Sequence, residues 1–299
     1  MINQQLKILI FGGNRLLVSA TRSCIAANYV VHSLGHAECD ISNGAAVALQ
    51  IQLFKPHIAI NGAAYNDVDG AEQSPHAAYA LNAHAPGVLA RACEAAGALL
   101  VHFSTDFVFD GGKTTPYTED DAPHPLSVYG ASKLAGEQAV MAAGGYHLVL
   151  RVSWLYGAGG RNFFSQVAHW LQSDRQLQVV DDQVSVPNRV EDLAAALAAL
   201  LALVQANGMD WLRARAGLYH FVANAQQHAM SRYTYALHTA QRLGSQSIAR
   251  LQPVPSSAFP APAARPAYSA MDSAKFEAVF GLKIPAMSAS YGHSVLQNK

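Results

Sequence analysis

Leu6-Lys-Ile-Leu-Ile-Phe11-Gly12-Gly13-Asn14-Arg15-Leu16-Leu17-Val18 is an apolar run that breaks at two glycines and resumes as another apolar segment. Six residues from Leu6 to Phe11 with one charge among them suit a strand buried on both faces, and the segment after the glycines suits a helix. Short apolar runs of the same kind recur at Tyr29–Val31, His57–Asn61, Leu99–Ser104 and His147–Ser153. Between them, Ala77–Ala96 and Tyr129–Ala143 carry apolar residues at helical spacing. Strand then helix, repeated, predicts an α/β fold with a doubly wound parallel sheet, because parallel neighbours need a crossover connection.

After about residue 155 the alternation weakens, and turn-rich pieces occur at Tyr156–Arg161 and Asp181–Asn188. Residues 1–155 are therefore expected to form the sheet domain, and 156–299 a smaller lobe with some segments returning to it. Prolines at 253, 255, 260, 262 and 266 predict an extended loop, and Ser273–Phe280 a further helix. Leu193–Ala206 is Ala/Leu-rich, too short to span a bilayer, and is expected to be a buried helix.

The chain has 299 residues, 51% of them hydrophobic, with 20 Lys plus Arg against 20 Asp plus Glu. This composition supports a sizeable core, and the balanced charge gives no pull toward nucleic acid or an anionic membrane. A small molecule is the expected partner. Cys24, Cys39 and Cys93 form neither an even framework nor a Cys-x-x-Cys pair, which points to a reducing compartment. No export signal is visible at the N-terminus, so a cytoplasmic location is expected. The 13 histidines show no metal-ligand spacing, and no metal site is assigned.

Tyr129-Gly-Ala-Ser-Lys133 places a phenol and an ammonium four residues apart, on one face of a helix. An ammonium near a phenol favours its ionised form, so Lys133 is expected to tune Tyr129 toward proton transfer near neutral pH. On its own the spacing equally describes a surface tyrosine beside a solvated lysine. Its context adds weight: the strand Leu99–Phe103 runs into Ser104-Thr105-Asp106, at the carboxyl edge where open α/β sheets bind ligands. These three residues also suit a simple turn.

The turn Gly12-Gly13-Asn14-Arg15 sits where a dinucleotide fold places its phosphate loop, but the glycines expected at 15 and 18 are Arg15 and Val18. Arg15 either pairs with phosphate charge or blocks the loop. No acidic residue ends the second strand near His32-Ser33-Leu34, and no arginine stands there for a 2′-phosphate, so NADH and NADPH are not distinguished. Asp40 could reach the adenine side, yet Asp40 or Ser42 serves equally well as a helix N-cap.

Asn61-Gly-Ala-Ala-Tyr-Asn-Asp-Val-Asp-Gly-Ala-Glu72, Val101-His-Phe-Ser-Thr-Asp-Phe-Val-Phe-Asp-Gly111 and Pro125-Leu-Ser-Val-Tyr-Gly-Ala-Ser-Lys-Leu-Ala-Gly-Glu137 together resemble the dTDP-4-dehydrorhamnose reductases, extended short-chain dehydrogenases. The likeness continues through Leu150–Gly157, Val179–Gln183, Gly217–His220 and Arg265-Pro266, over nearly the whole chain. It implies a Rossmann-like fold and nicotinamide-dependent reduction of a carbonyl, most like the 4-keto group of a dTDP-deoxysugar. By position, Tyr129 would be the acid, Lys133 would hold the cofactor ribose and tune Tyr129, and Thr105 would orient the keto oxygen. Gly12, Asn14, Arg15, Asp40, Ile41, Ala63 and Ala64 would line NADPH or NADH, and Asp106, Trp154, Asn162 and Arg265 would face the substrate.

The departures gather at recognition positions. Besides Arg15 and Val18, Phe107 replaces a tyrosine, and Ser185 and Asn188 replace a glycine and a threonine. Ala20 stands at an acidic position through which some members join subunits around a metal ion, so that feature is not carried over. A homodimer is only the default expectation for a soluble enzyme. The damaged loop leaves two alternatives: a regulatory or binding protein on the reductase fold, and non-redox acid–base chemistry in the same site.

Overall fold

The computed structural model describes residues 5–13, 15–158, 160, 162–173, 176–244 and 250–285. Its first half alternates as the apolar pattern predicts. Strands β1 (Lys7–Phe11), β2 (Val30–Leu34), β3 (Ile58–Asn61), β4 (Leu99–Thr105) and β5 (His147–Val152) are separated by helices α1 (Leu16–Ile25), α2 (Gly44–Phe54), α3 (Val68–Gln73), α4 (Pro75–Tyr79), α5 (Ala85–Ala95) and α6 (Val128–Ala142). The second half carries short strands β6 (Leu155–Tyr156), β7 (Leu177–Val180), β8 (Val184–Ser185) and β9 (Asn188–Arg189), then β10 (Gly217–His220), β11 (Met230–Ser231) and β12 (Leu251–Val254). Its helices are α7 (Phe163–Trp170), α8 (Val190–Asn207), α9 (Met209–Arg213), α10 (Ala225–His228), α11 (Arg232–Arg242) and α12 (Ala274–Phe280).

The main sheet has six parallel strands in the order β10-β5-β4-β3-β1-β2. Period-two alternation sends neighbouring side chains to opposite faces. Ile8, Ile10, Ile58, Ile60, Val101, Leu148 and Leu150 pack beneath α1 and α8, while Leu9, Phe11, Ala59, Leu100 and Val149 pack beneath α2 and α5. Both faces are covered, which is the doubly wound arrangement. Removing one of these side chains, as in Ile60→Ala, would cost about 2–5 kcal/mol.

Helix α8, 18 residues, is long and apolar enough to cross a membrane by length and composition. In the fold Leu193, Leu197, Leu200, Leu201 and Val204 are buried in the core under it. Strand β10, from the second half, joins the main sheet beside β5, and α12 packs on it through Phe276 and Tyr219. Val167, Leu171, Val179, Ala236, Ala240 and Leu251 form a separate small core from α7, β7, α11 and β12.

The run Ala77–Ala96, read as one helix, is helical but interrupted. A π-turn at Ala80–His84 separates α4 from α5. The cause is Pro86, which has no N–H for the Asn82 carbonyl and whose ring would crowd it. The displaced carbonyl is received by α6 at Gly136, where a Cβ would lie 2.0 Å from the Asn82 oxygen. The proline-rich segment is tied down: Asp182 accepts from the Ser256 backbone at 2.9 Å, and Arg265 pairs with Asp69 at 2.7 Å.

Candidate active site

A cleft of about 570 Å³ lies at the carboxyl ends of β1, β3, β4 and β5, the position where open parallel sheets bind ligands. Strand β4 delivers Ser104, Thr105 and Asp106 to its wall. Helix α6 starts where Ser127 accepts from the Gly130 N–H and Glu72 accepts from the Val128 N–H at 2.7 Å, which sets the rotation of its first turns. Tyr129, Lys133 and Glu137 then point toward β4. The Lys133 ammonium donates to the Phe103 carbonyl at 2.6 Å, and the Ser104 hydroxyl donates to Glu137 Oε1 at 2.5 Å. Arg151 on β5 closes the set with two bonds to Glu137, at 2.8 and 2.7 Å.

Burial pushes the Tyr129 phenol up to about 12, with its hydrogen bond with Thr105 offsetting part of that and the Asp106 charge adding to it. Burial also pulls the Lys133 ammonium down to about 8, against the opposing pull of Glu137. In this arrangement the Lys133 ammonium is engaged by a backbone carbonyl, and desolvation is the largest influence on the phenol. A phenol held protonated can give a proton to an acceptor that approaches it. Phe107, at the position of the missing hydroxyl, packs edge-on against Tyr129 with ring centres 5.8 Å apart.

Asp106 is buried, and its carboxylate accepts from Ser269 at 2.5 Å, Ser185 at 3.0 Å and Thr105 at 3.2 Å. Burial raises its pKa despite these donors. Ser185, one of the departures, thus supplies a bond to the turn that presents Thr105. Asn188, the other, is fully engaged: its amide donates to the Ser153 and Val186 carbonyls and to the Ser153 hydroxyl, and its oxygen accepts from the Ala223 N–H at 2.7 Å. The Asn188 N–H also donates to the Trp154 carbonyl at 3.1 Å. Trp154 has φ 39°, a strained value for a tryptophan, and the pinned backbone on either side holds it there.

Two residues that shape the surroundings of the cleft were not singled out in the sequence. Asn82, in the π-turn, accepts from the Tyr65 N–H at 2.8 Å, donates to the Tyr65 carbonyl at 3.0 Å and to Ser132 at 3.0 Å, and so ties the loop after β3 to α6. The proline four residues after it is the one hint available. Arg232 opens α11 and lies between the Trp154 ring, 3.7 Å from its centre, and the Phe163 ring at 5.0 Å. It lines both the cleft and a larger cavity of about 1010 Å³, to which Phe163, Trp170, Gln166, Gln178, Gln183 and Arg265 also contribute. Burial, with Arg265 nearby, lowers the Arg232 pKa to about 10, against the pull of Asp106.

The cofactor wall is built from the glycine turn and the loop after β3. Gly12 has φ 81°, and a Cβ there would lie 2.5 Å from the Ala63 nitrogen, so only glycine fits. The bulk of Val18 is taken up at Gly62, whose absent Cβ would sit 1.8 Å from a Val18 methyl. Arg15 donates across the cleft mouth to the Ala64 carbonyl at 3.1 Å. The buried Ser33 hydroxyl beside Gly13 has no partner among the described residues, and the first turn of α1 carries no acidic residue. These features fit the phosphates of a dinucleotide.

Of the residues singled out in the sequence, Thr105, Asp106, Tyr129, Lys133, Arg15, Ala63, Ala64 and Trp154 line the cleft, and Arg265 lines the larger cavity. Asn14 lies outside the described residues. Asn162 does not face either space: its side chain caps α7 in a reciprocal box with Ser165 and donates to the Gly157 carbonyl at 3.1 Å. Ile41 is buried in the core under α2. The N-cap of α2 is Asn43, not Asp40 or Ser42; Asp40 instead accepts from the Ser42 N–H at 2.9 Å, which lowers its pKa.

Residues 6–298 match the family model of the RmlD substrate binding domain. The dTDP-4-dehydrorhamnose reductase of Burkholderia thailandensis is 34% identical over 290 residues, 94% of this chain and 95% of its own length. That of Streptomyces griseus is 40% identical over 83% of this chain and 79% of its own. Among solved structures, a Bacillus anthracis dTDP-4-dehydrorhamnose reductase in complex with NADP superposes with a TM-score of 0.88 at 29% identity, covering 99% of this chain and 100% of that one. A Clostridium acetobutylicum ortholog gives 0.86 at 31% identity over 98% and 99%. With the cleft at the carboxyl edge and its Tyr-x-x-x-Lys helix in place, the chain belongs to the dTDP-4-dehydrorhamnose reductase family and is a nicotinamide-dependent reductase of the extended short-chain dehydrogenase type.

Proposed function

We propose that this protein reduces the 4-keto group of a dTDP-linked deoxysugar, dTDP-4-dehydrorhamnose or a close analogue, with Tyr129 as the proton donor. The observation that carries this reading is the convergence of Thr105, Tyr129 and Lys133 on one wall of a cleft that shares Arg232 with a larger cavity. That cavity offers Phe163, Trp170 and Phe259 for a base, glutamine amides for its polar edge, and two guanidinium groups for a diphosphate. Among the described residues no carboxylate lines it.

A bound NADPH or NADH supplies the hydride. Gly12, Arg15, Ala63 and Ala64 would hold its phosphates, Lys133 its nicotinamide-side ribose, and Asp40 its adenosine end. Thr105 orients the keto oxygen, and Tyr129 gives its proton to that oxygen as negative charge develops there. Asp106 fixes the turn that carries Thr105, and Trp154 with Arg232 forms the side of the cleft toward the sugar diphosphate. A purely regulatory role leaves this convergence without a physical purpose.

The direct test mixes purified protein, a dTDP-4-keto-6-deoxysugar and NADPH or NADH, following nicotinamide oxidation and product stereochemistry. Reduction of the dTDP-sugar supports the reading. Saturable nicotinamide binding with no oxidation by any nucleotide-linked ketone would overturn the substrate assignment, and turnover without nicotinamide would move the site to non-redox acid–base chemistry.

A further inference from the structure

Arg15 stands where the glycine pattern of the turn is broken, and the structure shows what it does there. Its backbone is the N-cap of α1 in an extended conformation, with no side-chain cap bond, so the side chain is free for another task. The guanidinium spans from α1 to the loop after β3 and meets the Ala64 carbonyl, a neutral acceptor 49 residues away in the chain. No carboxylate pairs with Arg15 among the described residues, although Arg151, Arg189, Arg213 and Arg265 all have one.

The charges lining the cleft are unbalanced in the same sense. Among the described residues, Arg15, Lys133 and Arg232 contribute three cations, and the one carboxylate, Asp106, is engaged by three hydroxyls. Such a lining suits an anionic ligand. The alternative role for Arg15, a plug that excludes the cofactor, fits poorly with its exposure and with its single bond to a solvent-facing loop.

Resting on the nicotinamide reading above, we infer that Arg15 is a latch over the cofactor: on binding, its guanidinium exchanges the Ala64 carbonyl for the pyrophosphate of the dinucleotide. A charge-assisted bond to phosphate is stronger than one to a neutral carbonyl, so the exchange favours the bound state. The latch replaces with a side-chain charge the close backbone approach that a glycine at this position would allow.

The test is a fluorescence titration of wild type, Arg15→Ala and Arg15→Gln with NADPH and NADH at low and moderate salt, with melting curves taken without cofactor. Both variants should melt as wild type does, since Arg15 is exposed, which separates lost affinity from misfolding. Each should bind the preferred cofactor about ten- to a hundredfold more weakly at low salt, the loss of one charge-assisted hydrogen bond. Each should also show a shallower fall in affinity with added salt than wild type. Equal or tighter binding by the variants would identify Arg15 as a plug and overturn the latch. Weaker binding with an unchanged salt dependence would overturn it too, by assigning the loss to packing. If wild type binds neither NADPH nor NADH, the cofactor reading itself fails.

Discussion

The Arg232 guanidinium stacks 3.7 Å from the centre of the Trp154 ring, and among the described residues no carboxylate forms an ion pair with it. A desolvated cation held on an aromatic face, with Arg265 close enough to lower its pKa, marks where an anion belongs. Trp154 is held in its strained conformation by Asn188, so a residue that departs from the family pattern supports the platform on which this cation rests.

Arg232→Ala should therefore weaken binding of dTDP by about ten- to a hundredfold, as expected for losing a charge-assisted contact to phosphate. Calorimetric titration with dTDP and with thymidine checks this, and thymidine affinity should change little. Equal losses for both would place Arg232 on the base rather than on the phosphates.

Tyr129→Phe should lower kcat by about 10²- to 10⁴-fold, the range for removing a general acid, while nicotinamide affinity stays within a few-fold of wild type. Single-turnover kinetics with titration of the cofactor separate the two effects. Retained turnover would remove Tyr129 from the chemistry.

Glu137 and Arg151 form a bidentate pair, both nearly inaccessible to solvent. Glu137→Gln strands the Arg151 charge and should cost about 3–5 kcal/mol in denaturant unfolding. The double change Glu137→Leu with Arg151→Met leaves no stranded charge between these two and should recover much of that loss. If the single change is nearly neutral, the pair does not anchor α6 to β4 and β5.

His220 is buried against Arg151 and Asp272, and desolvation, then the Arg151 charge, lowers its pKa to about 3. The unfolded chain takes up a proton near pH 6.5 that the folded chain refuses until near pH 3, so stability falls as pH drops through that window, by up to ~1.4 kcal/mol per unit. Melting curves from pH 7 to 4 should show a shallower decline for His220→Gln than for wild type. An identical decline would mean that other groups carry the acid sensitivity.

Sequence alone determined the layered architecture and the positions of Thr105, Tyr129 and Lys133. The reason is locality: a period of two or 3.6 is written in adjacent residues, and a strand end followed by a Tyr-x-x-x-Lys helix places chemistry by element rather than by distant contact. The glycine pattern was equally legible, and so was its damage. Its consequence was not, because Val18 is accommodated by Gly62 and Arg15 by Ala64, partners about fifty residues away.

Tertiary structure alone decided the rest. The break in the helix predicted over Ala77–Ala96 comes from Pro86, but the use made of it, Asn82 binding Tyr65 and Ser132, depends on α6 lying alongside. Asn162 reads as a site residue by position and is occupied by a helix cap. Arg232 reads as an ordinary charge and becomes part of the cleft only because α11 folds back against Trp154. The phenol and ammonium pKa values divide in the same way: which residues pair along a helix is local, whereas the desolvation that raises Tyr129 and lowers Lys133 belongs to the strands and loops packed around them.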